Sequence, residues 1–372
     1  MSVNYSLDAA TASAWAMLAI LFLLKGSIWK LIWREMAVWT AIMASLYFLY
    51  VHVLKGTEYE AYYTFLIDLT KDIPADGTLM FLLSYMTYNS LTRWSSTFKC
   101  LMWPENVALM FKQYCNKRAL SKHEDRCLRR TVARYLSVFY ILLFRDVSQD
   151  VRDMFPTFNS LAVPGILTKE EVELLKSSRL DKNSCHYWVP IDWIVMLVRQ
   201  KYIPKNSFDS KMRKVRNKKE TIMTEVQYMR FITEIARLKG GVGDVLSYDW
   251  VPLPLALFQS LIIFVYSTLV VNCFQMQARI IVSGNPGISE MFVESMSTLP
   301  FSALYLSFLR ISQVVINPFG SDDDDFETQY LIQRHINVLN EILVGDEEEE
   351  KKEKEREREK EKEKKKEKGK GK

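Results

Sequence analysis

Histidine and cysteine are scarce in this chain and never gathered. The four histidines, His52, His123, His186 and His335, lie far apart in sequence and have no ligand spacing, so metal catalysis has no support. Five cysteines, Cys100, Cys115, Cys127, Cys185 and Cys273, are odd in number and free of C-x-x-C spacing. That excludes a disulfide framework and a zinc site, and they read as reduced thiols. There is no Gly-rich phosphate loop, nucleophile elbow or Walker sequence, so the chain is not expected to be an enzyme. No solenoid-period repeat occurs. The net charge is only +5, with basic and acidic residues interleaved, which argues against nucleic acid as a partner. No cleavable signal peptide is expected: the apolar stretch from Ala9 to Leu24 lacks a basic flank before it and is followed by Lys25-Gly26-Ser27.

What is present is apolar residue in blocks. Apolar types make up 49% of the 372 residues, yet mean hydropathy is near zero. Four segments approach the roughly 20 residues that a bilayer core requires. Leu31 to Leu54 and Val251 to Met276 are clear spans, the latter opening on Trp250, Pro252 and Pro254. Thr78 to Trp103 carries Ser84, Thr87, Tyr88, Asn89, Ser90, Thr92 and Arg93, and Met291 to Ile316 carries Glu294, Ser295, Ser297 and Arg310. Polar groups are costly in lipid, so these faces are expected to look at protein or at water. Arg93 is expected to snorkel or to pair with a carboxylate or carbonyl.

The connection after the first span is acidic, with Glu58, Glu60, Asp68, Asp72 and Asp76, whereas Lys112 to Lys239 is rich in Lys and Arg. By the positive-inside rule the basic stretch is cytosolic, and an even number of spans puts both termini there too. Within it, Thr131 to Phe144 and Trp188 to Val198 are too short to cross and read as buried helices. Lys211 to Arg216 is strongly basic and would concentrate anions, bind acidic headgroups or simply be solvated. The expected divisions are an N-terminal segment 1–30, two spans within 31–110, a helical cytosolic domain 111–247, two spans within 248–316, an acidic segment with a following helix 317–345, and a charged tail 346–372. The tail alternates Lys, Glu and Arg and cannot bury a core, so it is a single exposed helix or a disordered segment.

At the end of the last span, Asn317-Pro318-Phe319-Gly320 leads into four consecutive carboxylates, Asp322 to Asp325. Such a run is either a solvated loop that caps the next helix or a cation site, in which Asp322 and Asp325, three apart around a turn, share one Ca²⁺ with backbone carbonyls.

The stretch Ile316 to Glu327 resembles the signature that ends the membrane region of the bestrophins. Further matching pieces are Lys25-Gly26-Ser27-Ile28 with Lys30, Thr92-Arg93-Trp94, Trp103-Pro104, Arg129-Arg130-Thr131 with Arg134-Tyr135, Arg145 to Ser148 with Phe155-Pro156, Trp188-Val189-Pro190, and Tyr248-Asp249-Trp250 with Pro254-Leu255. They extend over about residues 1 to 340. The resemblance implies an all-α, multi-pass membrane protein with four transmembrane helices per subunit and a helical cytosolic domain, assembled as a homo- or heteropentamer. It implies Ca²⁺ as the activating cofactor, chloride and other small monovalent anions as the permeant species, and membrane lipid as a partner. Carried over, the Ca²⁺ ligands are the side chains of Asp322 and Asp325 and the carbonyls of Asn317, Val314 and Ala10.

The family's second span lines a narrow neck with three rings of apolar side chains four residues apart. Counting from Thr92-Arg93-Trp94 places them at Gly77, Phe81 and Tyr85, whereas anchoring on Ile73-Pro74 gives Ile73, Gly77 and Phe81. All four share one helix face, and Gly77 departs from the family by removing one ring's side chain. A cytosolic constriction is expected at Val226, and helix starts near Pro74 and Pro252 are anion-facing sites or ordinary proline starts. The expected function is a Ca²⁺-activated anion channel with a hydrophobic neck gate in the cell membrane. The alternative is a poorly conducting regulatory or partner subunit.

Overall fold

The computed structural model of the chain describes residues 5, 9–10, 13–73, 76–115, 119–177, 185–202, 222–282 and 287–345. Among them there is no strand, as expected of an all-α chain. The chain forms two compact units, one of Met1–Phe98 with Tyr248–Phe326 and one of Lys99–Ser247 with Glu327–Lys372. The segment expected over 317–345 thus divides after Phe326.

In the first unit, α1 is Ala14–Leu21 and α2 is Ile28–Leu49, continued by a π-helical turn, Tyr50–Leu54. Ser27 starts α2 because its hydroxyl accepts from the Trp29 N–H at 3.2 Å, which satisfies one of the free donors at a helix start. Next come α3, Glu60–Lys71, and α4, Asp76–Cys100. After α10 (Glu225–Trp250) follow α11, Leu255–Val282, and α12, Ile288–Val314. Two stretches are long and apolar enough to cross a membrane, Ile28–Leu54 and Leu255–Ile281. The helices α4 and α12 have 25 and 27 residues, sufficient length with a more polar composition. α11 starts at Leu255, near Pro252: the Pro254 carbonyl accepts from Leu257 and Phe258, so Pro254 is the residue that opens the helix. Pro74, Lys211 to Arg216 and the tail 346–372 lie outside the described residues.

The core of this unit gathers Ile32, Met43 and Tyr47 of α2, Leu79, Leu83 and Met86 of α4, Val265, Leu269 and Met276 of α11, and Tyr305, Leu306 and Leu309 of α12. Several polar side chains inside these helices are paired across them, which lowers the cost of a polar group in lipid. Arg310 of α12 pairs with Glu35 of α2, whose other partner is the Tyr266 hydroxyl of α11. Arg279 of α11 reaches Glu294 of α12 at 2.5 Å and Thr298 at 2.8 Å, and Thr87 of α4 shares a hydrogen bond with Ser312 at 2.8 Å. Arg93 donates to the carbonyl of Tyr248 and lies over that ring, so its pairing is with a carbonyl. The acidic connection contains α3, which was not anticipated: its Tyr63 and Ile67 pack with Tyr50 and Ala278.

The second unit holds α5, Glu105–Tyr114; α6, Lys122–Val147; α7, Gln149–Met154; a 3₁₀ turn, Phe158–Leu161; α8, Lys169–Lys176; α9, Val189–Tyr202; most of α10; and α13, residues 328–345. Ser121 with Glu124 and Thr168 with Glu171 form capping boxes that start α6 and α8. Thr131 to Phe144 lies within α6, where Phe139, Tyr140, Ile141 and Phe144 are fully buried. Burial by itself raises the Glu171 pKa, yet hydrogen bonds from Arg134, the Thr168 N–H and Tyr135 bring it to about 2. His335 of α13 is buried against the rings of Tyr140 and Trp103, and burial brings its pKa down to about 4.

Candidate cation site and pore wall

The last turn of α12 ends at Val314, among the residues whose carbonyls a helix leaves without an internal partner. The chain then bends back on itself. Gly320 N–H donates to the Asn317 carbonyl at 3.4 Å, Phe326 N–H to the Pro318 carbonyl at 2.8 Å, and Asp325 N–H to the Asp322 carbonyl at 3.1 Å. The Asp322 N–H in turn donates to Asp325 Oδ2 at 2.7 Å. Asp325 is buried, Asp322 and Asn317 are exposed, and Val314 is half-buried. Gly320 is required by close approach: a Cβ there would lie 2.7 Å from Asp325 Oδ2. The bend is therefore closed, with Asp322 and Asp325 in direct hydrogen-bonded succession.

Among the described residues no three His, Cys, Asp or Glu side chains converge as a metal cluster. A cation at this bend would draw on two carboxylates and main-chain carbonyls, a hard-oxygen set that suits Ca²⁺ and not a thiophilic metal. In chemical type these donors suit that ion. Ala10 is exposed and helical, and its carbonyl makes no contact with the bend among the described contacts.

Two features of the bend were not foreseen. Asp323 Oδ2 accepts from Lys30 Nζ at 2.6 Å and from the Gly26 N–H at 3.1 Å. Gly26 has φ of 67°, the left-handed region that glycine enters without strain, and this presents its N–H to the carboxylate. The Lys30 hydrogen bond, then the Gly26 N–H, hold the Asp323 carboxyl below the usual carboxylate range. Asp324 moves the other way, pushed up by burial and then by Asp323 and Asp322. Phe326 is the second feature. Its ring packs on Trp94 at 5.2 Å, Phe98 at 5.0 Å and Phe319 at 5.6 Å, which ties the bend to the C-terminal half of α4. Phe326 stood in the sequence signature, but its partners could not be read there.

On α4 itself, Leu79, Leu83, Met86, Thr87 and Ser90 face the core and Phe81 and Tyr85 do not, at 69% and 55% exposure. Ile73 is exposed just before the helix, and Gly77 lies in its first turn. Phe81 and Tyr85 thus lie on one open face. Val226, the second residue of α10, is 63% exposed and borders a groove with Met110, Met229, Arg230 and Thr233.

A family model described as "Bestrophin, RFP-TM, chloride channel" matches residues 1–345. The chain belongs to the bestrophin family. Similar proteins include bestrophin homolog 22 of Caenorhabditis elegans, 26% identical over 336 residues that make up 90% of this chain and 63% of the relative. Bestrophin-3 of Homo sapiens is 29% identical over 351 residues, 93% of this chain and 48% of that protein. This bestrophin chain therefore spans about half to two thirds of the length of such relatives. The crystal structure of a bacterial bestrophin homolog from Klebsiella pneumoniae matches with a TM-score of 0.54 at 16% identity, over 83% of this chain and 96% of the other. At that identity the likeness shows a shared bestrophin fold.

Proposed function

We propose that this bestrophin is a Ca²⁺-activated anion channel of the cell membrane, a homo- or heteropentamer of four-span subunits with both termini cytosolic, passing chloride and other small monovalent anions. The observation that supports it most is the closed bend after α12, where Asp322 and Asp325 are three apart in one hydrogen-bonded turn, in a chain of this family. Asp322 and Asp325 would hold the ion by their side chains, with the carbonyls of Asn317, Val314 and Ala10 completing the set. Bound there, Ca²⁺ would supply divalent charge that fixes the bend's carboxylates. The bend transmits its position to α4 through Phe326 on Trp94 and Phe98, and through Asp323 to Gly26 and Lys30 at the start of α2. Ile73 just before α4, with Gly77, Phe81 and Tyr85 on it, forms the neck stripe, which gates by dewetting, and Val226 borders the cytosolic aperture.

The test is the double substitution Asp322→Ala with Asp325→Ala. The pentamer should remain by size-exclusion and crosslinking, while the half-activating Ca²⁺ in patch recordings rises more than about a hundredfold, because two of the site's charged oxygen donors are gone. Unchanged Ca²⁺ dependence removes the bend from the mechanism. Gly77 favours a second reading, a poorly conducting partner subunit, since it takes one ring's side chain out of the stripe. Purified protein in liposomes decides between the two: anion flux from this chain alone supports the channel, and no flux supports the partner role.

A further inference from the structure

The exposed faces of the long helices in the first unit differ in their chemistry. On α2 the exposed side chains include Trp29, Trp33, Val38, Ile42, Phe48 and Leu49. Where α2 exposes a hydroxyl, it is folded back onto the helix: Thr40 donates to the Met36 carbonyl and Ser45 to the Ala41 carbonyl, both at 2.7 Å. Ser260 on α11 does the same with the Ala256 carbonyl at 2.8 Å. The exposed hydroxyls of these faces are satisfied within the helix, as suits lipid.

α4 is built otherwise. Thr78, Phe81, Tyr85, Tyr88 and Thr92 recur at spacings of three and four, so they form one exposed stripe, and four of the five carry hydroxyls. Serine and threonine reach the carbonyl one turn back, but a phenol oxygen stands at the far end of a rigid ring and cannot. Tyr85 and Tyr88 are 55% and 68% exposed, and Tyr88 is the midpoint of a helix that runs from Asp76 to Cys100. Tyrosines commonly mark the membrane interface, but these two sit halfway along the helix, the depth at which lipid offers a phenol no partner.

We propose that the phenol hydroxyls of Tyr85 and Tyr88 are anion-coordinating donors that set which anion passes. The proposal rests on the anion-channel reading and assigns its selectivity to two side chains. A phenol O–H is a donor without net charge, so it replaces part of an anion's hydration without trapping the ion. Successive residues of the stripe rise about 4.5 to 6 Å along the helix, which hands the ion from one ring of donors to the next. Strongly hydrated chloride gains more from such donors than weakly hydrated thiocyanate.

Tyr85→Phe keeps the ring and removes the donor. In liposome flux or bi-ionic recordings of the full chain, the thiocyanate-to-chloride permeability ratio should rise about threefold, a fraction of what a charged hydrogen bond is worth. Tyr88→Phe should shift it in the same direction. Unchanged ratios in both variants, with anion flux retained, overturn the proposal and leave the channel reading standing. Absence of anion flux from the unsubstituted protein overturns both. Independently of any selectivity change, Thr92→Cys should react with a charged methanethiosulfonate and lose flux, since this face is wet; a thiol inert to the reagent overturns the proposal.

Discussion

The acidic bend and the open stripe of α4 belong to the same unit but are held in opposite ways. In the bend three side chains are held by neighbours in the same chain: Asp325 by the Asp322 N–H, Asp323 by Gly26 and Lys30, and Phe326 by three rings. The stripe has one wall only, with Phe81, Tyr85 and Tyr88 sharing a face and facing away from the core. On the proposed reading, a bend held by its own chain and a helix face left open answer to different perturbations. Changes at the bend should alter when the channel opens, and changes on the stripe should alter what passes and how tightly it closes.

After the double substitution at the bend, the largest expected effect tests the stripe. Phe81→Ala removes a large apolar side chain from the face and should raise current at nominally zero Ca²⁺ by about tenfold or more, since a wider, less apolar constriction stays wet. A current unaltered at zero Ca²⁺ would take Phe81 out of the gate and erase the contrast. Next comes the link between the two regions. Phe326→Ala leaves the carboxylates in place but removes the packing on Trp94 and Phe98, and the half-activating Ca²⁺ should rise about tenfold, equivalent to about 1.4 kcal/mol of coupling. If sensitivity in patch recordings stays the same, the bend does not act through this ring cluster.

The smallest effect lies in the other unit and should leave both regions alone. His335 titrates at about 4 when folded, against 6.5 for the free side chain. Its folded pKa is lowered, so the unfolded chain binds the extra proton first, and stability falls as pH drops from 6.5 toward 4. The loss should be about 2 kcal/mol at pH 5. His335→Phe should flatten the urea midpoint across that pH window without moving Ca²⁺ sensitivity. A midpoint that falls as steeply in the variant would put the pH dependence elsewhere.

The spans were legible where apolar residues run together, as in Leu31 to Leu54, and less so where a local polar group sets the boundary. α2 begins three residues earlier than that run because Ser27 caps it, and Lys30 within its first turn hides the helix from a hydropathy reading. α3 was hidden in a stretch notable for acids, although Tyr63 and Ile67, four apart, are a helical pair against Ala278 and Tyr50. The bend was legible because its residues are contiguous. The grip of Asp323 was not, because its partner Gly26 is 297 residues away in the chain and carboxylates in a row look equivalent until their neighbours are known. Phe81 and Tyr85 fell on one open face because a four-residue period fixes a helix face whatever the register. No periodicity says what lies opposite that face.

The pair between Glu35 and Arg310 has a consequence for how the protein is made. Glu35 leaves the ribosome in the second helix, while its cationic partner is synthesised only with the twelfth. For most of translation the first apolar helix therefore carries an acid without its counter-charge, at a cost of about 2.5 to 3.5 kcal/mol if it sits at the bilayer centre. Completion of the chain supplies the counter-charge and removes that penalty.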